Sequence, residues 1–178
     1  MADTQPDENK RDFLTLTAAV TLGLGATGGV LALASSLTPS ADVLALATTE
    51  VDVGQLEPGQ AITVMWQGKP VFVRRRTAAE VEEAKNTPLD ALKDPQSDAD
   101  RTVAGKEEFL VVVGVCTHLG CIPNGQKDAD VKGEYDGWYC PCHGSHYDIS
   151  GRIRKGPAPT NLPVPKYEFT SDTSILIG

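Results

Sequence analysis

Two short segments, residues 116–121 (CTHLGC) and 140–145 (CPCHGS), carry all four cysteines and two of the three histidines of the chain. Each segment offers one cysteine and one histidine as ligands and has a second cysteine to spare. Thiolate and imidazole are ligands of zinc and of iron centres. These residue types at this spacing predict a metal centre built from two loops, and we favour an iron–sulfur cluster.

A mononuclear zinc site is the alternative that the same four ligands allow. Structural zinc sites pair their cysteines at C-x₂₋₄-C spacing and use each of them as a ligand. Here Cys121 and Cys142 are left over, one in each segment and in matching positions. The surplus cysteines favour an iron–sulfur cluster, and the zinc site stays open as an alternative.

The composition excludes one class of function. The chain has 24 acidic and 16 basic residues among its 178, and its net charge is −8. Nucleic-acid binding depends on basic side chains that contact phosphates. We therefore expect no nucleic-acid partner. The acidic surface either attracts a basic partner or only keeps the protein soluble.

The N-terminal part of the chain predicts a membrane anchor. Residues 1–12 are polar and predict a cytoplasmic tail, whereas residues 13–37 are an uncharged, mainly apolar stretch. About 20 apolar residues suffice for a transmembrane helix. Lys10 and Arg11 precede the stretch, and the next basic residue is Lys69. This asymmetry predicts a cytoplasmic N-terminus and a C-terminal domain on the periplasmic side of a bacterial inner membrane.

Two alternatives concern how this anchor is used. The apolar stretch could instead be a cleaved signal peptide, with residues 32–34 (ALA) as the cleavage site. Residues 9–14 (NKRDFL) are also similar to a twin-arginine export signal that has lysine in place of the first arginine. In the simpler interpretation, Lys10 and Arg11 only set the topology.

A tether and a domain of short strands follow the anchor. Residues 38–49 (TPSADVLALATT) begin with a helix-ending proline and have small side chains, which predicts a flexible tether. We expect the folded domain to span residues 50–178. Alternation and turn residues predict an antiparallel β fold, with strands at residues 50–53, 61–66, 70–74, 109–115, 133–140, 147–149, 167–170 and 174–177.

One insertion interrupts these strands. Thr77 and Glu80 have the spacing of a capping box and predict a short helix over residues 77–85. Residues 86–101 are polar and contain two prolines, so we expect a surface loop there. The insertion has no predicted role in the metal centre.

The two cysteine-rich segments resemble the cluster-binding loops of Rieske iron–sulfur proteins, the subunits of quinol–cytochrome c oxidoreductases. The similarity continues through residues 146–148 (HYD) and 151–159 (GRIRKGPAP), and it includes the anchor and residues 41–45 (ADVLA). Neither loop departs from the family pattern. The family implies an all-β fold, an antiparallel β-sandwich with a cluster-binding part at about residues 114–160, preceded by one N-terminal transmembrane helix.

The resemblance also implies the cofactor and its ligands. One [2Fe-2S] cluster would be bound per chain, with Cys116 and Cys140 on the buried iron and His118 and His143 on the outer iron. Neutral imidazoles in place of two thiolates remove negative charge, which favours the reduced state of the cluster.

Further residues have roles that the family implies around this cluster. Cys121 and Cys142 would form a disulfide between the loops, which persists only in an oxidising compartment. Ser145 and Tyr147 would donate hydrogen bonds to cluster or cysteine sulfur and so raise the potential. A proline-rich loop would cover the other side of the cluster: Gly156, Pro157, Ala158 and Pro159.

The function implied by the resemblance is electron transfer from ubiquinol. His143 would accept a hydrogen bond and a proton from the quinol, with Leu119 exposed beside it. The partners would be cytochrome b, a c-type cytochrome and the membrane, and the tether would let the domain move between them. Plastoquinol-oxidising relatives share the pattern, although the match is closer to the ubiquinol type. We expect a structural role for His146, which is outside the ligand set.

Two other functions remain open from the sequence. A soluble Rieske-type ferredoxin or oxygenase component shares the ligand pattern, but such proteins generally lack the second cysteine pair. An oxygenase also needs a non-haem iron site with two histidines, and only His146 is left for it. A membrane-anchored zinc module is the second alternative.

Overall fold

The N-terminal unit consists of one long helix, α1 (Glu8–Ser36). The computed structural model describes residues 8–40, 43, 47–127 and 129–178, and the chain divides into two units, Met1–Val43 and Leu44–Gly178. Residues Asn9–Ser36 are long and apolar enough to cross a membrane, with a mean hydropathy of 1.7, and their side chains are not buried. Threonine hydroxyls along α1 donate to carbonyls four residues earlier, as Thr17 does to Phe13 at 2.8 Å, which satisfies these polar groups within the helix.

The helix begins earlier than the apolar stretch predicts. Residues 8–12 belong to α1 although they were predicted to be part of a tail, because Lys10 and Arg11 are good helix formers that can continue a helix beyond the apolar core of a span. The rest of the predicted tail, residues 1–7, lies outside the described residues. Pro39 follows the end of α1 closely, as expected of a helix-ending proline.

The second unit contains three antiparallel sheets of three strands each, in the part of the chain that the structure describes. Their orders are β1-β9-β8, β2-β3-β4 and β5-β6-β7. The strands are β1 (Thr49–Asp52), β2 (Ala61–Trp66), β3 (Lys69–Arg75), β4 (Phe109–Val113), β5 (Asp136–Cys140), β6 (Ser145–Asp148), β7 (Ile153–Lys155), β8 (Tyr167–Phe169) and β9 (Ser174–Ile177). The predicted antiparallel β-sandwich is confirmed.

In the β2-β3-β4 sheet, β3 and β4 are buried on both faces because their side chains alternate between two cores. Val71 and Val73 of β3 share one core with Ile175 and Ile177 of β9. Phe72, between them in sequence, points to the opposite face and joins a second core. This sheet is therefore the middle layer of the unit, which explains why β3 and β4 are buried almost throughout.

The second core joins the middle layer to the cluster-binding part. The Phe72 and Trp138 rings stack with centroids 6.1 Å apart and an interplanar angle of 13°. Tyr147 and the two cysteines that begin or end the loops, Cys116 and Cys140, lie in the same core. The metal-binding loops are thus attached directly to a packed interior.

The observed bounds differ from the predicted ones in six strands: β1, β3, β4, β5, β6 and β8. Strand β4 ends at Val113, two residues before its predicted end. The next residue, Gly114, lies so close to the Phe72 ring that no side chain fits there. The β7 strand was not predicted, since three residues with two charges give no alternation signal. The β6 strand begins at Ser145 and therefore includes the end of the second cysteine-rich segment.

The C-terminal end of the predicted tether is fixed to the folded unit. Ala47 accepts a hydrogen bond from the Trp66 indole nitrogen at 2.6 Å, and Thr49 already pairs with Ile177 in the β1–β9 ladder. Residues 41, 42 and 44–46 of the tether lie outside the described residues. The folded unit thus includes residues before Glu50, where the sequence predicted its start.

The insertion between β3 and β4 contains a helix, α2 (Ala78–Asn86). The capping box is confirmed, because the Thr77 hydroxyl accepts from the Glu80 amide at 3.2 Å and the Glu80 carboxylate accepts from the Thr77 amide at 2.8 Å. Two 3-10 turns follow, Leu89–Ala91 and Ala99–Arg101.

The prediction that residues 86–101 form only a surface loop is wrong. Leu92, Asp98 and Arg101 are buried there. Arg101 donates to the carbonyl oxygens of Ser150 at 2.7 Å and Leu162 at 2.6 Å, both in or next to the cluster-binding part. Polar composition did not reveal this burial because the charged groups are paired within the protein.

Candidate metal centre

The two cysteine-rich segments form loops of similar design at one edge of the second core. In the first loop the Gly120 amide donates to the Cys116 carbonyl at 3.0 Å, and in the second the Gly144 amide donates to the Cys140 carbonyl at 3.0 Å. Both glycines have a positive φ, 82° and 72°, a conformation that glycine adopts without strain. Each loop therefore turns back immediately after presenting its histidine or the residue next to it.

The four predicted ligand residues come together as two pairs, one of cysteine thiols and one of histidine rings. Cys116 and Cys140 are free thiols, each only 2% exposed. The imidazole rings of His118 and His143 meet edge to face with centroids 4.6 Å apart. His118 is half-buried and His143 is exposed. The site thus has a buried sulfur side and an outer imidazole side.

A disulfide joins the two loops beside these ligands. Cys121 and Cys142 are bonded to each other, with Cα atoms 6.8 Å apart. The sulfur of Cys140 lies within 4.8 Å of both disulfide sulfurs. The crosslink holds the loops next to each other and leaves Cys116 and Cys140 as the two free thiols of the chain.

The Cys116 thiol has the electrostatic surroundings of a thiolate. Burial opposes ionisation most strongly, but hydrogen bonds from Tyr147, the His118 backbone, Cys140 and Ser145 outweigh it and lower the pKa of Cys116. The Tyr147 hydroxyl donates to the Cys116 sulfur at 3.2 Å. Because the thiolate is the form that binds metal, these donors prepare Cys116 for ligation.

The pKa values of two hydrogen-bond partners of Cys116, Cys140 and Tyr147, are raised rather than lowered. Burial, and then the hydrogen bond to the Cys116 sulfur, raise the pKa of the Cys140 thiol. The same two causes, in the same order, raise the pKa of the Tyr147 hydroxyl. Tyr147 therefore stays protonated and remains a hydrogen-bond donor to sulfur across the physiological pH range.

Ser145 connects the second loop to the cover loop, which we define as residues 156–159. Its hydroxyl accepts a hydrogen bond from the Ala158 amide at 3.2 Å. Gly156 lies against the Gly144 carbonyl and the Ser145 Cα, where a Cβ would collide with both. The cover loop is therefore packed onto the loop that carries His143.

Leu119 has no cover from the rest of the described chain. Its side chain is 70% exposed, and it directly follows His118 in the first loop. This large apolar side chain therefore lies in solvent, next in sequence to a candidate ligand.

Thr117 is a residue of this site that the sequence did not single out. Its hydroxyl donates to the Thr160 carbonyl at 2.7 Å, and its amide donates to the Tyr147 hydroxyl at 3.3 Å. These bonds attach the first loop to the segment that follows the cover loop. Its place between two ligands of the CTHLGC motif was the only available signal.

These residues fit a [2Fe-2S] cluster. Two buried free thiols and two adjacent imidazoles supply the four ligands that such a cluster with mixed ligation needs. The His118 Nδ1 is buried and has no hydrogen-bond partner among the described residues, which is costly for a polar atom unless a further group satisfies it. A metal ligated by this nitrogen would do so.

His146 lies apart from this ligand set. Its Nδ1 accepts a hydrogen bond from the Glu134 amide at 3.1 Å, and its ring packs against Tyr139 with centroids 4.8 Å apart. The geometry gives His146 a structural role.

Comparison with known families agrees with this donor set. The Rieske [2Fe-2S] domain family matches residues 49–168, which include all four candidate ligands and the disulfide. The chain belongs to the Rieske [2Fe-2S] protein family.

Two relatives that are similar over nearly the whole chain share one name. The ubiquinol-cytochrome c reductase iron-sulfur subunit of Rhodospirillum rubrum is 55% identical over 172 residues, with 97% of this chain and 93% of the relative covered. The subunit of the same name from Rickettsia conorii is 50% identical with full coverage of both chains. Among solved structures, a chain of a hyperthermophilic respiratory Complex III matches with a TM-score of 0.51 and 26% identity, covering 90% of this chain and 98% of that one.

Proposed function

We propose that this chain is the iron–sulfur subunit of a ubiquinol–cytochrome c oxidoreductase, which takes one electron and a proton from ubiquinol and passes the electron to a c-type cytochrome. The observation that carries the proposal is the pairing of two buried free cysteines with two outer histidines beside a disulfide. The relatives from Rhodospirillum rubrum and Rickettsia conorii, which share half or more of their residues with this chain, have names that state this role.

Four residues would hold the cluster. Cys116 and Cys140 would bind the buried iron, and His118 and His143 the outer iron. A [2Fe-2S] cluster with this ligand set supplies a one-electron acceptor at about −150 to +300 mV, against about −400 mV for plant-type ferredoxins. Only the higher range suits a quinol as the donor.

The protein side chains around the ligands have three tasks. Tyr147 and Ser145 donate hydrogen bonds to sulfur and so stabilise the more negative, reduced state. The disulfide between Cys121 and Cys142 fixes the separation of the loops, a crosslink of a kind that typically contributes about 2–4 kcal/mol. The cover loop keeps water away from the side opposite the histidines.

His143 is the residue that would meet the quinol. It is exposed, so the ring nitrogen that does not bind iron can accept a hydrogen bond from a quinol hydroxyl and then take its proton. Leu119, the exposed neighbour of His118, would contact the quinol site of the partner. Each of these roles depends on the side chain being accessible, and both side chains are exposed.

The chain is a single-pass membrane protein and an electron-transfer component. Its partners would be cytochrome b and a c-type cytochrome in the same complex. The Lys10 and Arg11 charges support a cytoplasmic N-terminus in a bacterial inner membrane, with residues 50–178 in the periplasm. Residues 38–49 would act as the tether that lets the domain reach both partners.

The cofactor is tested by metal analysis and electron paramagnetic resonance of the purified full-length chain. We expect two iron and two labile sulfide per chain, as the [2Fe-2S] stoichiometry requires, and a spectrum that appears on reduction. Zinc without sulfide would contradict the proposal. The His143→Gln variant should lose the spectrum, whereas the matched control His146→Gln should keep it because His146 is not a ligand.

The tether is tested by stiffening. Prolines placed at two positions within residues 41–46 should slow turnover in the assembled complex, because proline restricts the backbone, while the spectrum of the cluster stays unchanged. Full turnover in such a variant would contradict the mobile-carrier part of the proposal alone.

A further inference from the structure

The insertion between β3 and β4 reaches the cover loop through one lysine. The Lys93 ammonium donates to the Gly156 carbonyl at 2.7 Å and to the Ala158 carbonyl at 3.2 Å. These partners lie 63 and 65 positions away in sequence. A single cation therefore bridges both sides of Pro157.

The cover loop needs such an external donor. Two of its four residues, Pro157 and Pro159, have no amide hydrogen, so they cannot donate backbone hydrogen bonds. In the part of the chain that the structure describes, the Ala158 amide of this loop donates to the Ser145 hydroxyl. The loop is therefore held mainly through its carbonyl oxygens, and Lys93 is the side chain that binds two of them.

The residue after Lys93 strengthens the same attachment. The Asp94 carboxylate accepts from the Asn161 amide at 2.9 Å, and the Asp94 carbonyl accepts from the Asn161 side chain at 3.0 Å. The Asn161 side chain in turn accepts from the Ile153 amide at 2.9 Å. Lys93 and Asp94 thus clamp the cover loop and the segment after it from outside.

The cover loop, which Lys93 and Asp94 hold, is in direct contact with the loop that carries His143. Gly156, whose carbonyl binds Lys93, packs directly against Gly144 and Ser145. Displacement of Gly156 would remove this packing and the Ala158 bond to Ser145, and would open the ligand loop to water. The positive charge of Lys93 at this place would also stabilise negative charge added to the centre.

We propose that Lys93 is a positioning residue of the metal centre, which holds the cover loop on the His143 loop and raises the reduction potential of the bound cluster. The inference rests on the proposed function, since it concerns the same [2Fe-2S] site. It assigns a role to the insertion, which the sequence left without one.

The test uses the purified full-length chain with its cluster, in the wild type and in Lys93→Met. We expect cluster loss to a chelator, followed by visible absorbance, to be roughly tenfold faster in Lys93→Met, the equivalent of about one charge-assisted hydrogen bond. The midpoint potential should fall, and the reduced-state paramagnetic spectrum should shift. Lys93→Arg keeps the charge and should restore the potential.

The matched control is Lys106→Met, which removes a lysine whose partner, Asp172, lies in the turn between β8 and β9. It should match the wild type in both measurements. If Lys93→Met does not retain a cluster, Lys93→Gln is measured instead, because its amide nitrogen still donates hydrogen bonds but carries no charge. In this variant the midpoint potential should fall and the rate of cluster loss should stay as in the wild type. The role of Lys93 is overturned if the wild type contains the cluster and the Lys93 variants have the same rate of cluster loss and the same midpoint potential as Lys106→Met. A wild type without iron and sulfide would instead overturn the proposed function.

Discussion

At the scale of single residues, the site depends on donors aimed at one sulfur. The Tyr147 hydroxyl is buried, donates a hydrogen bond to the Cys116 sulfur and accepts one from the Thr117 amide. A buried hydroxyl so fully engaged costs free energy to leave without partners. Strand β6 fixes the direction of the Tyr147 side chain, because it places Tyr147 opposite Trp138 in the β5–β6 ladder.

The Tyr147→Phe variant tests this donor. The hydroxyl lost is the one that stabilises negative charge on the Cys116 sulfur, so we expect a lower midpoint potential of the cluster with little change in cluster content. A redox titration followed by paramagnetic resonance measures both. Tyr139→Phe is the matched control, since Tyr139 packs on His146 instead. An unchanged potential in Tyr147→Phe would show that its hydroxyl does not act on the cluster.

At the scale of elements, a buried ion pair fastens the insertion to the end of β3, and a hydrogen bond from Ser150 to the same carboxylate joins it to the cluster-binding part. Arg76 donates two hydrogen bonds to the Asp98 carboxylate, at 2.6 and 3.0 Å, and Ser150 donates a third at 2.5 Å. The Arg76 and Asp98 side chains are 0% and 1% exposed. Burial favours the neutral acid, but these bonds outweigh it and lower the pKa of Asp98.

We expect Asp98→Asn to destabilise the protein by about 3–5 kcal/mol near neutral pH, because it leaves the Arg76 charge buried without a counter-charge. Denaturant unfolding followed by circular dichroism measures this. The matched control is Asp172→Asn, which changes an exposed ion pair and should have little effect. Equal midpoints for the two variants would contradict a stabilising role for the buried pair.

The buried Arg76–Asp98 pair also predicts that the stability of the folded protein depends on pH. The ordinary pKa of an aspartate is 3.8, and in the folded protein the pKa of Asp98 is lower. The contribution of Asp98 to stability is therefore present above about pH 4 and is lost as the pH falls through the folded value. The wild type should lose stability on acidification in this range more steeply than Asp98→Asn, and parallel pH profiles of the two would contradict this origin.

At the scale of the whole folded unit, two cores share the middle sheet but differ in their relation to the metal. The core between β1-β9-β8 and the middle sheet contains no candidate ligand. The other core contains Cys116 and Cys140. Cooperative units of a protein often coincide with such cores, so loss of the metal should affect the two differently.

Hydrogen exchange before and after removal of the iron tests this division in the full-length chain. We expect the amides of β1, β9 and β3 to keep their protection, whereas the loops at residues 116–121 and 140–145 and the cover loop should exchange faster. The disulfide is kept oxidised throughout, so that only the metal changes. Uniform loss of protection in both cores would show that the unit folds only around the cluster.

The sequence by itself determined the features that depend on near neighbours. The ligand spacing in CTHLGC and CPCHGS pointed to the family, the alternation in residues 61–66 gave β2 with the bounds observed, and Thr77 and Glu80 gave the capping box. Such patterns are readable because a turn, a strand face or a helix cap is decided within a few residues.

Only the tertiary structure decided which distant groups meet. Lys93 binds the cover loop, and Asp98 accepts hydrogen bonds from Arg76 and Ser150, which are 22 and 52 positions away. These contacts follow from sheet register and from the path of the insertion, so no local pattern announces them, and the polar residues involved look like solvent-exposed loop until they are paired. The two cysteine-rich loops predict the cofactor from local sequence, whereas the contacts that hold these loops in place are visible only in the fold.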